Sequence, residues 1–409
     1  TLDPRVTYTR DGTASYVDET GRLRWVGAHV PRFDHDPITG KSKGLLIEES
    51  RTNLFYAYAT SYLSNIPAST YNVNTNGAII RHSDDVLAPD GSRTTTKLYW
   101  DGTYNSGGAW NQNGYARVGA YTGELTAGDY VFSFFVKRGT DGRHNMDPFL
   151  GFDGSTPTFG TGHYQGVFQD FSPYFSRQPN INGSDATIQK FPNGWYRVSA
   201  KATTASGNFT SSTRYDMQGA EHYVWGMQLE VGSYPTSFIP TNGSIATRGV
   251  DITQIEDQEF TEFYNPDEWT MVTHTDVDNS QSLVVSPSEV NSINFEGDNN
   301  TKKFTTRYVT SSTDNQGYVD VIGAMSGTTY FDLTGATVGT YNVKTALAAK
   351  VNDVAASHNG ATVQTDTSVT MLEGGSIMNI GQNPKQFHIK RIMYYPKRLP
   401  NNQLRTLTS

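Results

Sequence analysis

Pairs of acidic residues are the first candidates for chemistry in this sequence, because enzymes that cleave glycosidic bonds use two carboxyl groups that flank the bond. Glu48 and Glu49 are neighbours in a strand-like run, where adjacent side chains point to opposite faces and cannot converge. Asp34 and Asp36 flank a turn, which Asp commonly caps. We therefore predict that the chain is not an enzyme. The pairs considered are Asp34 with Asp36, Glu48 with Glu49, Asp84 with Asp85, and Asp276 with Asp278.

A metal site would need several ligands close together. Asp276 and Asp278 would share one face of a continuing strand and offer oxygen ligands of the kind that Ca²⁺ takes. A solvated strand end explains the same two residues without a metal. The nine His residues have no spacing typical of zinc sites, and the chain has no Cys. We predict no cofactor, with Ca²⁺ at the two aspartates as the alternative.

One segment has the composition of a sugar-binding loop. Residues 100–117 read WDGTYNSGGAWNQNGYAR. Aromatic faces stack on pyranose rings while amide and guanidinium groups hydrogen-bond to hydroxyls, and such sites are shallower and more polar than drug-like pockets. The alternative is that Trp100 and Trp110 lie in the core or at a subunit contact. The candidate sugar-binding residues are Trp100, Tyr104, Trp110, Asn113, Tyr115 and Arg117.

Alternation of side chains predicts β-strands through most of the chain. Residues 130–137 place their aromatic side chains on one face. Residues 223–230 place Trp225 toward the core, and Gln228 and Glu230 toward solvent. Trp195 is also assigned to the core. Further strands are predicted at 194–199, 269–277, 282–285, 341–352 and 387–395, with a hairpin turn at Asn359-Gly360 and one short helix at 400–407.

These patterns predict an all-β fold. Strands alternate with turns at short intervals and no strand–helix–strand alternation appears, so antiparallel sandwiches are the natural architecture. Residues 1–55 read as an irregular leader, punctuated by turn residues every few positions. We predict an irregular N-terminal leader at 1–55, one antiparallel β-sandwich at 56–247 and a second at 248–409.

Charge and hydropathy exclude several classes of partner. The net charge is −8 and no run of Lys and Arg is long enough to follow a phosphate backbone, so we predict no nucleic acid partner. No apolar run approaches the roughly 20 residues that cross a bilayer, so no membrane insertion is predicted. The first residue is Thr1, which leaves open whether sequence upstream is missing.

Several phrases, taken in order, give the chain a family resemblance. The opening resembles that of tailed-bacteriophage virion proteins of the tail fibre, head fibre or spike type. The middle is similar to a carbohydrate-binding-module-like jelly roll, and the last part to laminin-G or concanavalin-like domains. The phrases are LDPRVTYTR at 2–10, ASYVD at 14–18, PRFDHDP at 31–37 and GLLIEESRTNL at 44–54; then APDG at 88–91, YVFSFFVK at 130–137, NGWYR at 193–197, WGMQLE at 225–230, PTSFIPT at 235–241 and ATR at 246–248; and finally HIKRI at 388–392 and YYPKRL at 394–399.

The resemblance implies a non-enzymatic virion structural protein that recognises host surface carbohydrate during attachment. It implies a leader that anchors the chain to other virion proteins, a location on the exterior of the particle after assembly in the host cytoplasm, and a homo-oligomer, most simply a trimer. Two alternatives stay open. One is a purely architectural decoration of capsid or tail, and the other is a depolymerase of capsule polysaccharide.

Overall fold

A computed structural model describes most of the chain. The described residues are 2–55, 75–76, 78–83, 85–100, 115–139, 144–153, 166–169, 172–174, 186–204, 207–217, 221–277, 289–297, 302–310, 317–325, 328–338, 342–369, 371, 375–381 and 386–409. Over these ranges the chain forms antiparallel β-sheets and two short α-helices. The predicted all-β class is confirmed.

The leader is made of short strands separated by turns, as its frequent Gly, Pro and Asp residues predicted. β2 and β3 pair as a two-stranded hairpin, and β4 pairs with β5. The leader strands are β1 (Thr7–Thr9), β2 (Ala14–Val17), β3 (Leu23–Val26), β4 (Phe33–His35), β5 (Ser42–Glu48) and β6 (Arg51–Asn53).

The first sandwich consists of two six-stranded sheets. One sheet has the order β14-β13-β12-β17-β10-β7 and the other has the order β15-β16-β11-β18-β9-β8. The strands are β7 (Thr75–Asn76), β8 (Ala78–Ser83), β9 (Thr95–Trp100), β10 (Tyr115–Leu125), β11 (Gly128–Arg138), β12 (His144–Asp153), β13 (Gly166–Gln169), β14 (Ser172–Tyr174), β15 (Ala186–Lys190), β16 (Trp195–Thr204), β17 (Gly207–Met217) and β18 (Glu221–Val231).

The second sandwich consists of two seven-stranded sheets, and the leader supplies strands to both. Their orders are β1-β20-β29-β22-β23-β24-β25 and β28-β27-β26-β21-β30-β5-β4. The remaining elements are β19 (Ala246–Arg248), β20 (Ile252–Glu256), α1 (Asp257–Thr261), β21 (Glu268–Val277), β22 (Glu289–Gly297), β23 (Lys302–Thr310), β24 (Gly317–Met325), β25 (Thr328–Val338), β26 (Asn342–Lys350), β27 (Asp353–His358), β28 (Gln364–Asp366), β29 (Gly375–Ile380), β30 (Gln386–Tyr395) and α2 (Asn401–Thr408).

The core of the second sandwich lies between its two sheets. Ile255 and Phe295 come from one sheet, and Trp269 and Leu347 come from the other. Trp269 packs its ring 4.9 Å from that of Phe295. Because side chains alternate along a strand, each sheet contributes every second residue to this layer. The two sheets therefore stack face to face.

The C-terminal predictions are confirmed where the structure describes them. The strand predicted at 341–352 is β26, and the short helix predicted at 400–407 is α2. Leu404 of α2 packs on the outer face of β26, against Ala346 and Ala348, which is why both faces of that strand are buried. Neither α-helix, nor any other helix in the described ranges, is long and apolar enough to span a bilayer. The strand predicted at 282–285 lies outside the described residues.

A bulge in β18 corrects one prediction about which side chains meet solvent. Gly226 has φ +62°, and the register of β18 against β11 shifts there. After the shift, Gln228 and Glu230 lie on the same face as Trp225, whereas uninterrupted alternation placed them opposite it. Both side chains are fully buried, with 0% relative exposure. The prediction that they face solvent was wrong, because Gly in a strand allowed a bulge that reverses the alternation.

That face of β18 is covered by the leader and by residues 233–251, which we call the connector. Trp225 lies with its ring 5.0 Å from Phe238 of the connector and 6.2 Å from Trp25 of the leader hairpin. Trp195 and Trp225 are 1% and 3% exposed, so their predicted assignment to the core is confirmed. Trp195 Nε1 donates to the Leu87 carbonyl at 2.9 Å, which satisfies its buried polar group.

Replacing Gly226 with Ala should destabilise the fold. A Cβ at Gly226 would lie 3.0 Å from the Phe135 ring, and the positive φ is strained for any L side chain. We expect a loss of about 1–3 kcal/mol in the free energy of unfolding, measured by urea titration. Gly27→Ala is the matched control, since a Cβ there meets nothing within 4 Å. Equal stabilities of the two variants would argue against the bulge.

Candidate functional site

The predicted sugar-binding segment connects the two sheets of the first sandwich. Trp100 is the last residue of β9 and Tyr115 is the first residue of β10, and these strands belong to different sheets. The strands that flank residues 101–114 in the chain therefore belong to opposite sheets, and residues 101–114 themselves lie outside the described residues. Arg117 is the third residue of β10. Tyr104, Trp110 and Asn113 lie outside the described residues, so the binding role of this segment stays a prediction.

The strand register identifies the other connections that leave from the same end. Trp100 lies opposite Ala78 at the start of β8, and Tyr115 lies opposite Asn76 at the end of β7. β17 ends beside Tyr115, and β12 begins beside the end of β17. β11 ends beside the start of β18, which in turn lies beside the end of β9. The ends of β7, β9, β11 and β17 thus lie together, and we call this end of the sandwich the sandwich tip.

Glu48 and Glu49 diverge, as alternation along a strand predicted. Glu48 Oε2 accepts from Arg32 Nη1 at 2.6 Å. Glu49 Oε1 accepts from Arg51 Nη2 at 2.6 Å and from the Tyr234 hydroxyl. The two carboxylates are bound by different partners and do not converge on a common space.

Asp34 and Asp36 also have separate structural partners. Asp36 accepts from the backbone N–H of Thr39 at 2.7 Å and caps the turn, as predicted. Asp34 instead lies in β4, where it accepts from Val17 N at 2.7 Å and contacts His388 Nε2 at 2.9 Å. Burial alone would raise the pKa of Asp34, but the hydrogen bond and electrostatic interaction with His388 lower it on balance.

The predicted calcium ligands are only partly described. Asp276 Oδ2 lies 2.9 Å from Lys390 Nζ, and Asp278 lies outside the described residues. In the part of the chain that the structure describes, no group of three or more His, Asp or Glu side chains could hold a metal ion. The Ca²⁺ alternative stays a prediction.

A buried ionic cluster joins the leader to the connector. Arg32 donates to Glu48 at 2.6 Å and to Asp251 at 2.5 Å. Arg248 Nη1 lies 3.1 Å from Glu48 Oε2, and Arg10 Nη1 lies 3.5 Å from Asp251 Oδ1. All five side chains have 0% exposure. We call these five residues the junction cluster.

Neutral groups complete the hydrogen bonding of the two carboxylates. Ser237 donates to Glu48 from its backbone N at 2.8 Å and from its hydroxyl at 2.6 Å. Asp251 accepts from the backbone N of Glu48 at 2.8 Å and from the Tyr8 hydroxyl. Buried ions are tolerated when opposite charges and hydrogen bonds satisfy them together, and both carboxylates meet that condition.

The charges of the cluster fix its protonation. Burial alone would raise the pKa of Glu48, but the positive charges of Arg248 and Arg32 hold it well below its usual range. Burial lowers the pKa of Arg248, whereas the charges of Asp251 and Glu48 raise that of Arg32 despite its burial. Both guanidinium groups stay protonated, because their ordinary pKa is far above neutrality.

The junction cluster is connected to the first sandwich through β18. Asn53 Nδ2 donates to the Met227 carbonyl at 3.2 Å, and Leu229 N donates to Asn53 Oδ1 at 3.1 Å. Gln228 Nε2 donates to the carbonyl of Ser237, itself a partner of Glu48, at 3.3 Å. Ser237 therefore contacts both Glu48 of β5, in the second sandwich, and Gln228 of β18, in the first.

Sequence reasoning did not find the junction cluster. Its members are separated by as many as 241 positions, from Arg10 to Asp251, and no spacing rule brings them together. One signal was present: Glu48 directly follows the apolar run 44–47, a pattern consistent with a buried strand. A charged residue in such a run needs a buried partner of opposite charge.

Comparisons with known proteins assign no family. No family model matches the chain, and no curated protein matches it. Among solved structures, the chain is similar to CG-16, a homodimeric agglutinin from chicken liver, with 12% identity and a TM-score of 0.22. The match covers 32% of this chain and 93% of the agglutinin chain. A similarity this weak supports no conclusion about function.

Replacing Glu48 with Gln should be strongly destabilising. Two buried guanidinium groups, those of Arg32 and Arg248, would lose a negative partner, and breaking a buried pair costs about 3–5 kcal/mol. Asp3→Asn is the control, because it breaks an ion pair with Arg5 in which both side chains are 44% exposed. That change should cost about 0–1 kcal/mol. Urea unfolding measures both, and a small loss for Glu48→Gln would contradict the proposed role of the cluster.

The same carboxylate predicts acid sensitivity. The unfolded chain protonates Glu48 as pH falls through its ordinary pKa of 4.5, whereas the folded chain keeps it ionised to lower pH. The stability that it contributes is therefore complete above about pH 5.5 and declines below about pH 4.5, by up to about 1.4 kcal/mol per pH unit. The free energy of unfolding, measured by urea titration at several pH values across this range, should fall less steeply with decreasing pH for Glu48→Gln than for the natural sequence. Identical pH dependence of the two proteins would contradict the assignment of this acid sensitivity to Glu48.

Proposed function

We propose that this protein is a non-enzymatic structural protein of a tailed-phage particle that recognises host surface carbohydrate through its sandwich tip. The observation that carries the proposal is the placement of Trp100 at the end of one sheet and Tyr115 at the start of the other. The intervening residues, which include Trp110 and Asn113, are rich in Trp, Asn and Gly. That composition suits stacking on sugar rings together with hydrogen bonds to hydroxyls.

Three acids of the candidate pairs have structural partners, which supports binding rather than cleavage. A glycosidase needs two carboxyl groups about 5–10 Å apart with a sugar between them. Glu48 and Asp34 are buried and engaged with Arg32 and His388, respectively, and Glu49 is held by Arg51. Each of these acids has a structural partner, which leaves none of them free to act on a substrate.

Display on a particle is the setting that suits a weak, shallow sugar site. Repeated copies raise the effective concentration and can strengthen binding by about 10²- to 10⁴-fold without any new contact. A closed homo-oligomer, most simply a trimer, on the exterior of the virion would supply that repetition. Other virion proteins would be the partners that hold it there.

A purely architectural role is the second candidate, and the junction cluster favours it. Five buried charged side chains make the leader, connector and sandwiches mutually dependent, as a spacer or decoration protein requires. In that role the tip would bind nothing outside the particle.

Replacing Trp110 with Ala should weaken attachment if the tip binds sugar. We expect about a tenfold loss of affinity for host cells, equivalent to about 1.4 kcal/mol, with unchanged thermal stability. Val351→Ala is the control, since it truncates a 54% exposed apolar side chain of the second sandwich. Flow cytometry of labelled protein, before and after enzymatic removal of surface polysaccharide, measures the binding. If the natural protein binds treated and untreated cells equally, carbohydrate recognition is wrong. If it binds neither, the architectural role stands.

A further inference from the structure

A second surface of the molecule, away from the residues assigned to sugar binding, has the features of a binding site. A groove of about 750 Å³ opens between the two sheets of the second sandwich, within the size range of ligand sites. Ile255 and Ile380 line it from one sheet, and Leu45, Ile392 and Tyr394 line it from the other. An apolar groove of this size stabilises whatever apolar group fills it, because filling it removes apolar surface from water.

One wall of this groove is the edge of β30 beyond the point where β5 stops pairing with it. β5 pairs with β30 from Gln386 to Ile389 and then diverges to pair with β4. On the other side, β21 pairs with β30 as far as Tyr395. Among the residues that the structure describes, residues 391–395 therefore have a strand on one side only, and Lys390 is a bulge residue between two registers. No turn or loop backbone in that part of the chain bonds to residues 390–395. In an antiparallel ladder, alternate N–H and C=O groups of such a segment face outward.

We propose that this edge and groove together bind an extended segment of a different protein, which adds to β30 as a further strand. The free backbone groups of 390–395 would hydrogen-bond to the added strand, and its alternate side chains would enter the groove. Six residues of strand span about 20 Å and direct three side chains toward one face. The ligand is thus a strand with apolar residues at every second position.

Charge defines the other face of this ligand. Arg391 is exposed and, like Ile392, borders the groove. Alternation along the strand directs the side chains of these two neighbours to opposite faces. Opposite charges in cross-strand pairs are favourable and like charges are unfavourable. The residue of the added strand that lies opposite Arg391 should therefore be acidic. This surface is independent of the sandwich tip, so it holds whether or not the tip binds sugar.

The test uses the full chain and an acetylated nine-residue peptide in which Val alternates with Glu. We expect saturable binding by fluorescence anisotropy and at least about a tenfold slowing of amide hydrogen exchange in residues 390–395. A peptide in which Val alternates with Lys should bind about tenfold more weakly. The Arg391→Glu variant should reverse that preference, whereas Arg405→Glu, a charge reversal on α2, should leave it unchanged.

Several outcomes would overturn the proposal. One is absence of any slowing at 390–395 with millimolar peptide. Another is binding of the same Val/Glu peptide with all its backbone amides N-methylated, at an affinity equal to that of the unmethylated peptide, since the methylated peptide cannot pair as a strand. Protection of these amides in the isolated chain that disappears on dilution would assign the edge to a second copy instead. Uptake of decanoate into the groove without peptide binding would assign it to an acyl chain.

Discussion

The burial of five charged side chains between the leader and the connector is the constraint on which the rest of the structure depends. Removing an ion from water costs several kcal/mol, and only a well-placed opposite charge offsets that cost. Arg32 meets its two partners only when β5 and the residue before β20 are both in place, because Glu48 belongs to the leader and Asp251 to the connector. If either segment were displaced, charged side chains of the other would stay buried without a partner of opposite charge.

This constraint explains how the leader is used. Its strands β1, β4 and β5 complete the sheets of the second sandwich, while β6 and the β2–β3 hairpin pack against the first. Ser237 and Gln228 then carry the hydrogen bonding from Glu48 of the junction cluster into β18, and Asn53 of the leader bonds to β18 directly. The strand register of the first sandwich brings the ends of β7, β9, β11 and β17 to one tip. The divergence of β5 leaves residues 390–395 without a neighbouring strand on that side, among the described ranges. Both proposed binding surfaces therefore depend on the same scaffold.

The local sequence pattern predicted the strands and the C-terminal helix, but it did not predict which distant residues contact each other. Alternation identified β11, β26 and β30, and the burial of Trp195 and Trp225 followed from it. It failed at Gln228 and Glu230, because one bulge at Gly226 reverses the alternation and no count of apolar residues shows where a strand shifts register. The junction cluster was not predicted for a related reason. Nothing in the local sequence distinguishes Arg10, Arg32 and Arg248 from exposed arginines, and only the topology brings them to Glu48 and Asp251. The divergence of Glu48 and Glu49 needed only the geometry of a strand, so it could be predicted.

We infer that the junction cluster makes the two sandwiches one cooperative unit. Differential scanning calorimetry of the full chain tests it most directly. We predict a single transition whose calorimetric enthalpy equals the van't Hoff enthalpy, as for a molecule that unfolds all at once. Two separate transitions, each with the enthalpy of one sandwich, would contradict the account.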